Sequence, residues 1–400
     1  MSSYRWFYLG LIFNFFCAVF LCILIDTYGF YRIYEKVGFN QQKEGVRGAI
    51  RYVKAIEVSL RKPELLLMGS SRVHDGINPS LVPYKDTNLV YNYGIDMLRI
   101  NEAIRYLKHA IINSKIKKVV FGLDFFMFNS IEKFNPAFDS SLVGRKINFI
   151  DLIKPSLPSK YGLNDAYRTI KISNIQKLRR EFLSNGYRPG SSVFYKLINY
   201  RKLHYYTNWI FLSDDKSETP YYANYEIDEQ TFECFENYLK ICKSYNIECV
   251  LFITPAHALL DGEGIYLSGL WYKMEYFKRR ITSIASKFDV VLWDFSGYNY
   301  VTTEKIQTPM KYYWDSSHFK EIVGNLIIDQ LFGKPNINKM YFGKVLTEQN
   351  IEKHLNQNRI DRINYIENNE NDVKWLQELY ATIKRGDSYP KEFELGIFSK

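Results

Sequence analysis

Two serines that follow a short apolar run near residue 70 are the first residues whose type and position suit chemistry. Residues 65–68 read LLLM, and Gly69, Ser70 and Ser71 follow directly. A serine just after a buried strand, with glycine easing the turn, presents its hydroxyl above the sheet and leaves its own backbone N–H available. The same residues also suit a plain helix cap, because serine is a common N-cap residue. The motif alone therefore leaves both a nucleophile and a cap open.

A carboxylate and an imidazole lie three residues apart near the far end of the chain. Asp315 and His318 belong to the sequence WDSSHF, directly before a segment of helical period. On one side of a helix start, the imidazole can act as base toward a serine while the carboxylate fixes its tautomer. The alternative is that Asp315 caps the helix and His318 packs in its first turn. Chemistry is favoured only if the fold brings this pair to Ser71.

Short apolar strands alternate with helix-period segments beyond residue 63, which predicts an α/β fold with a mostly parallel sheet. The predicted strands are residues 65–68, 88–93, 118–126, 248–254 and 289–294. The predicted helices are residues 101–113, 229–246, 271–287 and 318–331. Ligands of open parallel sheets bind beyond the carboxyl ends of the strands. Ser71 stands at such an end.

An apolar stretch comes first in the chain. Residues 6–25 read WFYLGLIFNFFCAVFLCILI, without a charge, and a helix of about 20 residues spans a hydrocarbon layer of about 30 Å. We therefore predict one N-terminal transmembrane helix. A cleaved signal peptide is less favoured, since its apolar region is normally only about 7–15 residues long and no small-residue cleavage site follows.

The remaining chain divides by composition. Residues 26–62 carry eight Lys/Arg and four Asp/Glu and are predicted to be a basic, helical juxtamembrane segment. Residues 63–333 form the main domain, interrupted at about 127–228 by an insertion rich in Asn, Ser, Pro and Tyr, and residues 334–400 form a helical tail.

Charge and cysteine usage exclude several classes of function. The chain has 53 Lys/Arg against 43 Asp/Glu, a net charge of +10, yet beyond the juxtamembrane segment its basic residues are scattered. No basic patch with interleaved aromatics is present, so nucleic-acid binding is not expected. The five cysteines lack zinc-site spacing and a disulfide pattern. We expect no metal and no dissociable cofactor.

Three blocks taken together resemble the SGNH (GDSL-type) hydrolase superfamily: MGSSRVHDGINP, NYGIDM and WDSSHF. The chain is most similar to its membrane-anchored members associated with cell-envelope polymers, such as proteins of lipoteichoic acid D-alanylation. The resemblance implies a three-layer α/β/α sandwich with a flavodoxin-like sheet. It further implies Ser71 as nucleophile, His318 as base and Asp315 as its partner. The oxyanion hole would contain the N–H groups of Ser71 and Gly94.

One block departs from the family pattern. Many members have an oxyanion-hole asparagine after the third strand, where this chain has Asp124. An ionised carboxylate would repel an oxyanion, so Asp124 is expected to point elsewhere or to be protonated, and Asn129 is a substitute donor. Arg72 and His257 are, with Asp124, candidates for lining the substrate site. Arg72 can equally pair with a carboxylate, and His257 can equally cap a helix or lie at the surface.

These observations predict a membrane-anchored serine esterase or O-acyltransferase acting through an acyl-enzyme on a cell-envelope polysaccharide or polymer. Its domain would lie on the periplasmic or extracellular side of the cytoplasmic membrane. The expected partners are the membrane, the polysaccharide or an acyl donor, and a multi-pass membrane acyltransferase. One alternative is a non-catalytic accessory subunit of an acyltransferase or polymer export complex. Another is a cytoplasmic membrane-tethered esterase, which the positive-inside count supports.

Overall fold

The structure is a computed structural model. It describes residues 3–131, 134, 138–139, 142–154, 157, 160–175, 183–188, 225–307, 310–333 and 342–384. The strands are β1 (Leu65–Gly69), β2 (Val90–Gly94), β3 (Lys118–Leu123), β4 (Glu248–Ile253), β5 (Val291–Asp294) and β6 (Lys344–Leu346). The helices are α1 (Ser3–Ile25), α2 (Glu44–Gly48), α3 (Ile50–Arg61), α4 (Ser71–Gly76), α5 (Ile100–Asn113), α6 (Phe149–Ile153), α7 (Lys160–Ile175), α8 (Glu229–Ser244), α9 (Ile265–Leu267), α10 (Trp271–Lys287), α11 (Glu321–Leu331), α12 (Ile351–Asn368) and α13 (Glu370–Lys384).

The described strands form one sheet in the order β2-β1-β3-β4-β5-β6. The first five are parallel, and β6 pairs antiparallel with β5. In this register Gly69 lies beside Gly94, so the chain leaves β1 and β2 at the same edge of the sheet. The prediction of a mostly parallel α/β fold is confirmed. The extra strand β6 was not predicted, because three residues beside a polar helical tail give no strand pattern.

Helices cover both faces of the sheet. Side chains of β1 alternate between two cores, as the period of two along a strand requires. Leu66 and Met68 face a core shared with α3, α5, α8 and α10. Leu65 and Leu67 face a second core with α4 and α11, where Val73 packs. The result is the three-layer sandwich that the resemblance implied.

The N-terminal helix α1 includes a candidate membrane span, Tyr4–Ile25, judged by length and composition. Those two criteria admit a signal sequence as well as an anchor. Two of the basic residues that follow are paired inside the protein. Lys43 lies buried beside Asp26 and Glu35, and Arg51 pairs with a buried carboxylate of α5.

The predicted insertion contributes α6, α7 and the short segment 183–188 to the described structure. That segment lies along the free edge of β2, since the Asn92 N–H donates to the Asn185 carbonyl at 2.9 Å. Residues 189–224 of the predicted insertion lie outside the described residues.

Candidate active site

Ser71 is the first residue of α4, directly beyond the carboxyl end of β1. The Ser70 side chain caps the helix by accepting from the Arg72 N–H at 3.2 Å. Gly69 makes the turn possible, because a Cβ there would stand 2.3 Å from a Val73 methyl. Ser70 is therefore the helix cap, and the neighbouring Ser71 is the nucleophile candidate. The two interpretations of the motif do not exclude each other, because they concern different residues.

Asp315 and His318 lie in a tight loop and not at a helix start, since α11 begins at Glu321. An isolated antiparallel bridge joins Tyr313 and Phe319 across the base of the loop. The Asp315 carboxylate accepts the backbone N–H groups of Ser317 and His318, each at 2.8 Å. This hydrogen-bonded turn, and not the spacing of a helix, brings the Asp315 carboxylate and the His318 imidazole to the same side of the loop.

The structure brings Ser71, His318 and Asp315 together. Ser71 Oγ lies 2.8 Å from His318 Nε2, and His318 Nδ1 lies 2.9 Å from Asp315 Oδ2. Burial acts to raise the pKa of Asp315, but attraction to His318 and the hydrogen bonds it accepts lower that pKa to about 2. An ionised Asp315 accepts from Nδ1–H, which leaves Nε2 as the acceptor for the Ser71 hydroxyl. This arrangement suits a nucleophilic serine activated by a general base.

Two glycines let the elements that carry this triad approach each other. A Cβ on Gly76 would stand 2.1 Å from the Phe319 ring, and one on Gly324 would stand 1.8 Å from the Gly76 carbonyl oxygen. Helix α4 therefore packs backbone to backbone on α11. The two halves of the site, about 250 residues apart in sequence, meet through this contact.

Arg72 and Asp124 pair with each other behind the triad and do not line a substrate site. Both are buried, with Arg72 Nη1 2.8 Å from Asp124 Oδ1. Arg72 also binds Asp261 and donates from Nε to Ser317 Oγ at 3.2 Å, and Thr254 Oγ1 bonds to Asp124. Burial raises the pKa of Asp261, which the attraction of Arg72 partly offsets. Asp124 thus points elsewhere, as expected.

Two of the predicted oxyanion donors are engaged in other contacts. The Gly94 N–H donates to Asn92 Oδ1 at 2.9 Å, inside the sheet edge. The Asn129 carboxamide oxygen accepts from the Ile131 and Glu226 N–H groups, where it holds the chain leading to α8. The Gly94 N–H is therefore already used within the chain, while the assignment of Asn129, whose donor would be its carboxamide nitrogen, stays a prediction.

The structure is compatible with the predicted oxyanion role of the Ser71 N–H. Its backbone N–H has no acceptor among the described residues, because the first residue of a helix has no intrahelical partner.

His257 is also corrected as a substrate-lining residue. It is fully buried, its Nε2 lies 2.7 Å from the Glu304 carbonyl, and its Nδ1 accepts the Leu259 N–H. Burial lowers the pKa of the ring to about 4, so it is neutral. Its backbone N–H donates to the Ser316 carbonyl at 3.0 Å. His257 therefore supports the Asp315–His318 loop from behind.

Two supporting groups escaped sequence analysis. Asn92 sits in the middle of β2 and donates from Nδ2 to the Val73 and Ile77 carbonyls of the α4 segment. The sequence signal for Asn92 was the presence of a polar residue within an otherwise apolar strand. Arg188 of the insertion binds both Asp75 and Asp96 beside α4. No local sequence pattern marks that contact, since its partners lie about 100 residues away.

The fold and site together define an α/β sandwich with a serine–histidine–aspartate triad at the carboxyl edge of its sheet. No protein-family model and no curated protein matches the sequence. A solved structure from Streptococcus pneumonia, provisionally named a platelet activating factor, aligns over 72% of this chain and 92% of its own at 12% identity, with a TM-score of 0.35. A Bacteroides fragilis protein, provisionally named an acylhydrolase, covers 76% of this chain and 96% of its own at 12% identity and a TM-score of 0.31. Similarity this low says nothing of the activity of this chain.

Proposed function

We propose that this protein is a membrane-anchored serine esterase or O-acyltransferase that modifies a cell-envelope polysaccharide or polymer. The observation that carries the proposal is the 2.8 Å contact between Ser71 Oγ and His318 Nε2, backed by Asp315. The apolar helix α1 supports the membrane location. The polymer rests on the resemblance of the three sequence blocks to envelope-associated SGNH members.

The proposed reaction has two halves. Ser71 Oγ attacks an ester carbonyl while its proton passes to His318 Nε2, and the Ser71 N–H stabilises the oxyanion. The C–O bond of the ester then breaks, and the leaving alkoxide takes the proton from His318. In the second half His318 takes the proton of water or of an acceptor hydroxyl, whose oxygen attacks the acyl carbon. The bond between that carbon and Ser71 Oγ then breaks, and Ser71 Oγ takes the proton back from His318. Hydrolysis and transfer differ only in that acceptor.

A fluorophosphonate probe tests the proposal on the full-length chain in detergent micelles. We expect covalent labelling of the wild type and complete loss of labelling in Ser71→Ala. Ser70→Ala is the matched control: it removes the cap hydrogen bond at a cost of about 1 kcal/mol but keeps Ser71, so it should still be labelled. An unlabelled wild type with intact circular dichroism would refute the esterase proposal.

One observation favours the accessory-subunit alternative. The Gly94 N–H, one of the predicted oxyanion donors, is committed to Asn92, and loss of one donor costs about 10²–10³ in rate. A folded wild type that resists the probe but co-purifies with a multi-pass membrane acyltransferase would support this alternative. Protease accessibility of the domain in spheroplasts tests the proposed periplasmic or extracellular side.

A further inference from the structure

Four large apolar side chains of α6 and α7 are exposed and are here together called the membrane-side patch. Phe149, Ile150, Leu163 and Tyr167 are 72%, 66%, 52% and 62% exposed. Single exposed apolar residues are common, but four on two helices that are both bonded to the residues just beyond α1 indicate an interaction surface. The question is what covers it.

The patch lies level with the end of the apolar helix α1. Gly162 and Ala166 of α7 line a common cleft with Cys22, which belongs to the last turn of α1. Tyr28, three residues beyond α1, donates its hydroxyl to Asp165 at 3.1 Å. Small residues thus let α7 pack against the helix end, and the patch residues stand on the adjoining face of α7.

Helix α6 is fixed at the same level. The Tyr31 hydroxyl donates to the Leu152 carbonyl at 2.7 Å, and Tyr31 follows the end of α1 by six residues. Asp26 closes that turn by accepting the N–H groups of Phe30 and Tyr31. The membrane-side patch is therefore held to the exit of the span by side-chain hydrogen bonds.

The surroundings of the patch match the chemistry of a lipid headgroup layer. Three lysines are exposed near these elements: Lys36 in the loop beyond α1, Lys154 directly after α6 and Lys171 on α7. Lys171 Nζ lies 5.9 Å from the Tyr167 ring centre. Interfacial helices combine apolar and aromatic side chains on one face with basic residues that meet anionic lipids. Continuity with α1 argues for the bilayer over a soluble partner.

We infer that the membrane-side patch lies in the interface of the bilayer that α1 crosses, so that the domain rests on the membrane surface instead of hanging free from its anchor. This inference rests on the membrane anchor of the proposed function. It adds a second attachment, contributed by the insertion, that sets the orientation of the domain.

Quenching by brominated lipid tests the inference. The full-length chain is reconstituted in phosphatidylcholine–phosphatidylglycerol vesicles with bromine near the headgroup end of the acyl chains. The measured quantity is the emission that one added tryptophan contributes over the wild type. We expect Phe149→Trp to lose about two-fold or more of its added emission, since interfacial helices bury their apolar face about 5–10 Å deep.

Two control variants separate this inference from the anchor itself. Phe13→Trp places the probe in the middle of α1 and is measured with bromine deep in the acyl chains instead of near the headgroups. Ile360→Trp places it on α12, where residue 360 is 52% exposed. Quenching of Phe13→Trp but not of Phe149→Trp overturns the inference and leaves the anchor intact. If Phe13→Trp also escapes quenching, both fail.

Coverage by protein is a distinct outcome. A blue shift of the Phe149→Trp emission without quenching would mean that a second copy or a membrane partner covers the patch. That result also overturns the inference. Quenching of Phe149→Trp and not of Ile360→Trp supports it.

Discussion

Arg72 is placed to support the proposed reaction through its contacts with other side chains. Its guanidinium binds Asp124 and Asp261, and its Nε holds Ser317, the residue before His318. Arg72 directly follows Ser71, the proposed nucleophile, and its Nε contacts Ser317, which directly precedes His318, the proposed base. It therefore links both chain segments to the same two buried carboxylates. We therefore regard it as a positioning residue.

Arg72→Lys should fold but react slowly. A lysine keeps one positive charge between the two carboxylates, yet it cannot reproduce the planar fork that also reaches Ser317. We expect the rate of fluorophosphonate labelling to fall by about 10- to 100-fold, as for small misplacements of reacting groups, while the unfolding midpoint changes little. Arg72→Ala instead strands two buried carboxylates and should cost about 3–5 kcal/mol of stability. A labelling rate unchanged in Arg72→Lys would remove the positioning role.

At the scale of elements, the site depends on how closely α4 and α11 approach. Gly324→Ala adds a methyl group where the Gly76 carbonyl oxygen stands 1.8 Å away, so the helices must separate. Overpacking of this kind costs about 1–3 kcal/mol and moves Ser71 away from His318. We expect a lower thermal unfolding midpoint and weaker probe labelling.

The matched control for Gly324→Ala is Gly48→Ala, in helix α2. A Cβ at that position meets nothing within 4 Å, so stability and labelling should match the wild type. Equal behaviour of the two variants would show that the close approach of α4 and α11 does not hold the site.

The elements also show what a single sequence can predict. Strand β1 and helix α10 were predicted to within a residue, because apolar runs and helical periods are local signals. Ser71, Asp315 and His318 came from motifs. The surroundings of Asn129 and His257 could not be predicted, since each bonds a residue from elsewhere in the chain, 97 and 47 positions away. Sequence gives residue type, whereas the partner depends on the fold.

At the scale of the whole molecule, the parts outside the sandwich are joined to it by buried charges. The C-terminal helix α12 is held by His354, whose Nε2 lies 2.8 Å from Asp294 at the end of β5. On the other side of the sheet order, Lys54 of α3 donates to the carbonyls of Asn92 in the edge strand β2 and of Gly186 in the insertion. Lys54 thus joins the juxtamembrane segment, the sheet edge and the insertion at one point.

Lys54 should make the stability of the whole molecule depend on pH. Burial lowers its pKa to about 7, whereas the pKa of a lysine in an unfolded chain is about 10.4. Between those values the unfolded chain holds a proton that the folded chain has released, so the free energy of unfolding rises with pH, by up to about 1.4 kcal/mol per unit. Below about 7 both states are protonated and the contribution is flat. Buried tyrosines with raised pKa, such as Tyr91, act in the opposite direction only above about pH 10.

Chemical denaturation of the full-length chain between about pH 7 and pH 9 measures this contribution. Lys54→Met removes the titrating group, so its unfolding free energy should rise less steeply with pH than that of the wild type. Lys108→Met, which removes an exposed lysine of α5, should retain the wild-type slope. If Lys54→Met and the wild type share one slope, Lys54 stays charged in the folded protein and its carbonyl partners fully compensate its burial. A steeper wild-type slope means that the folded protein has released the Lys54 proton that the unfolded chain still holds.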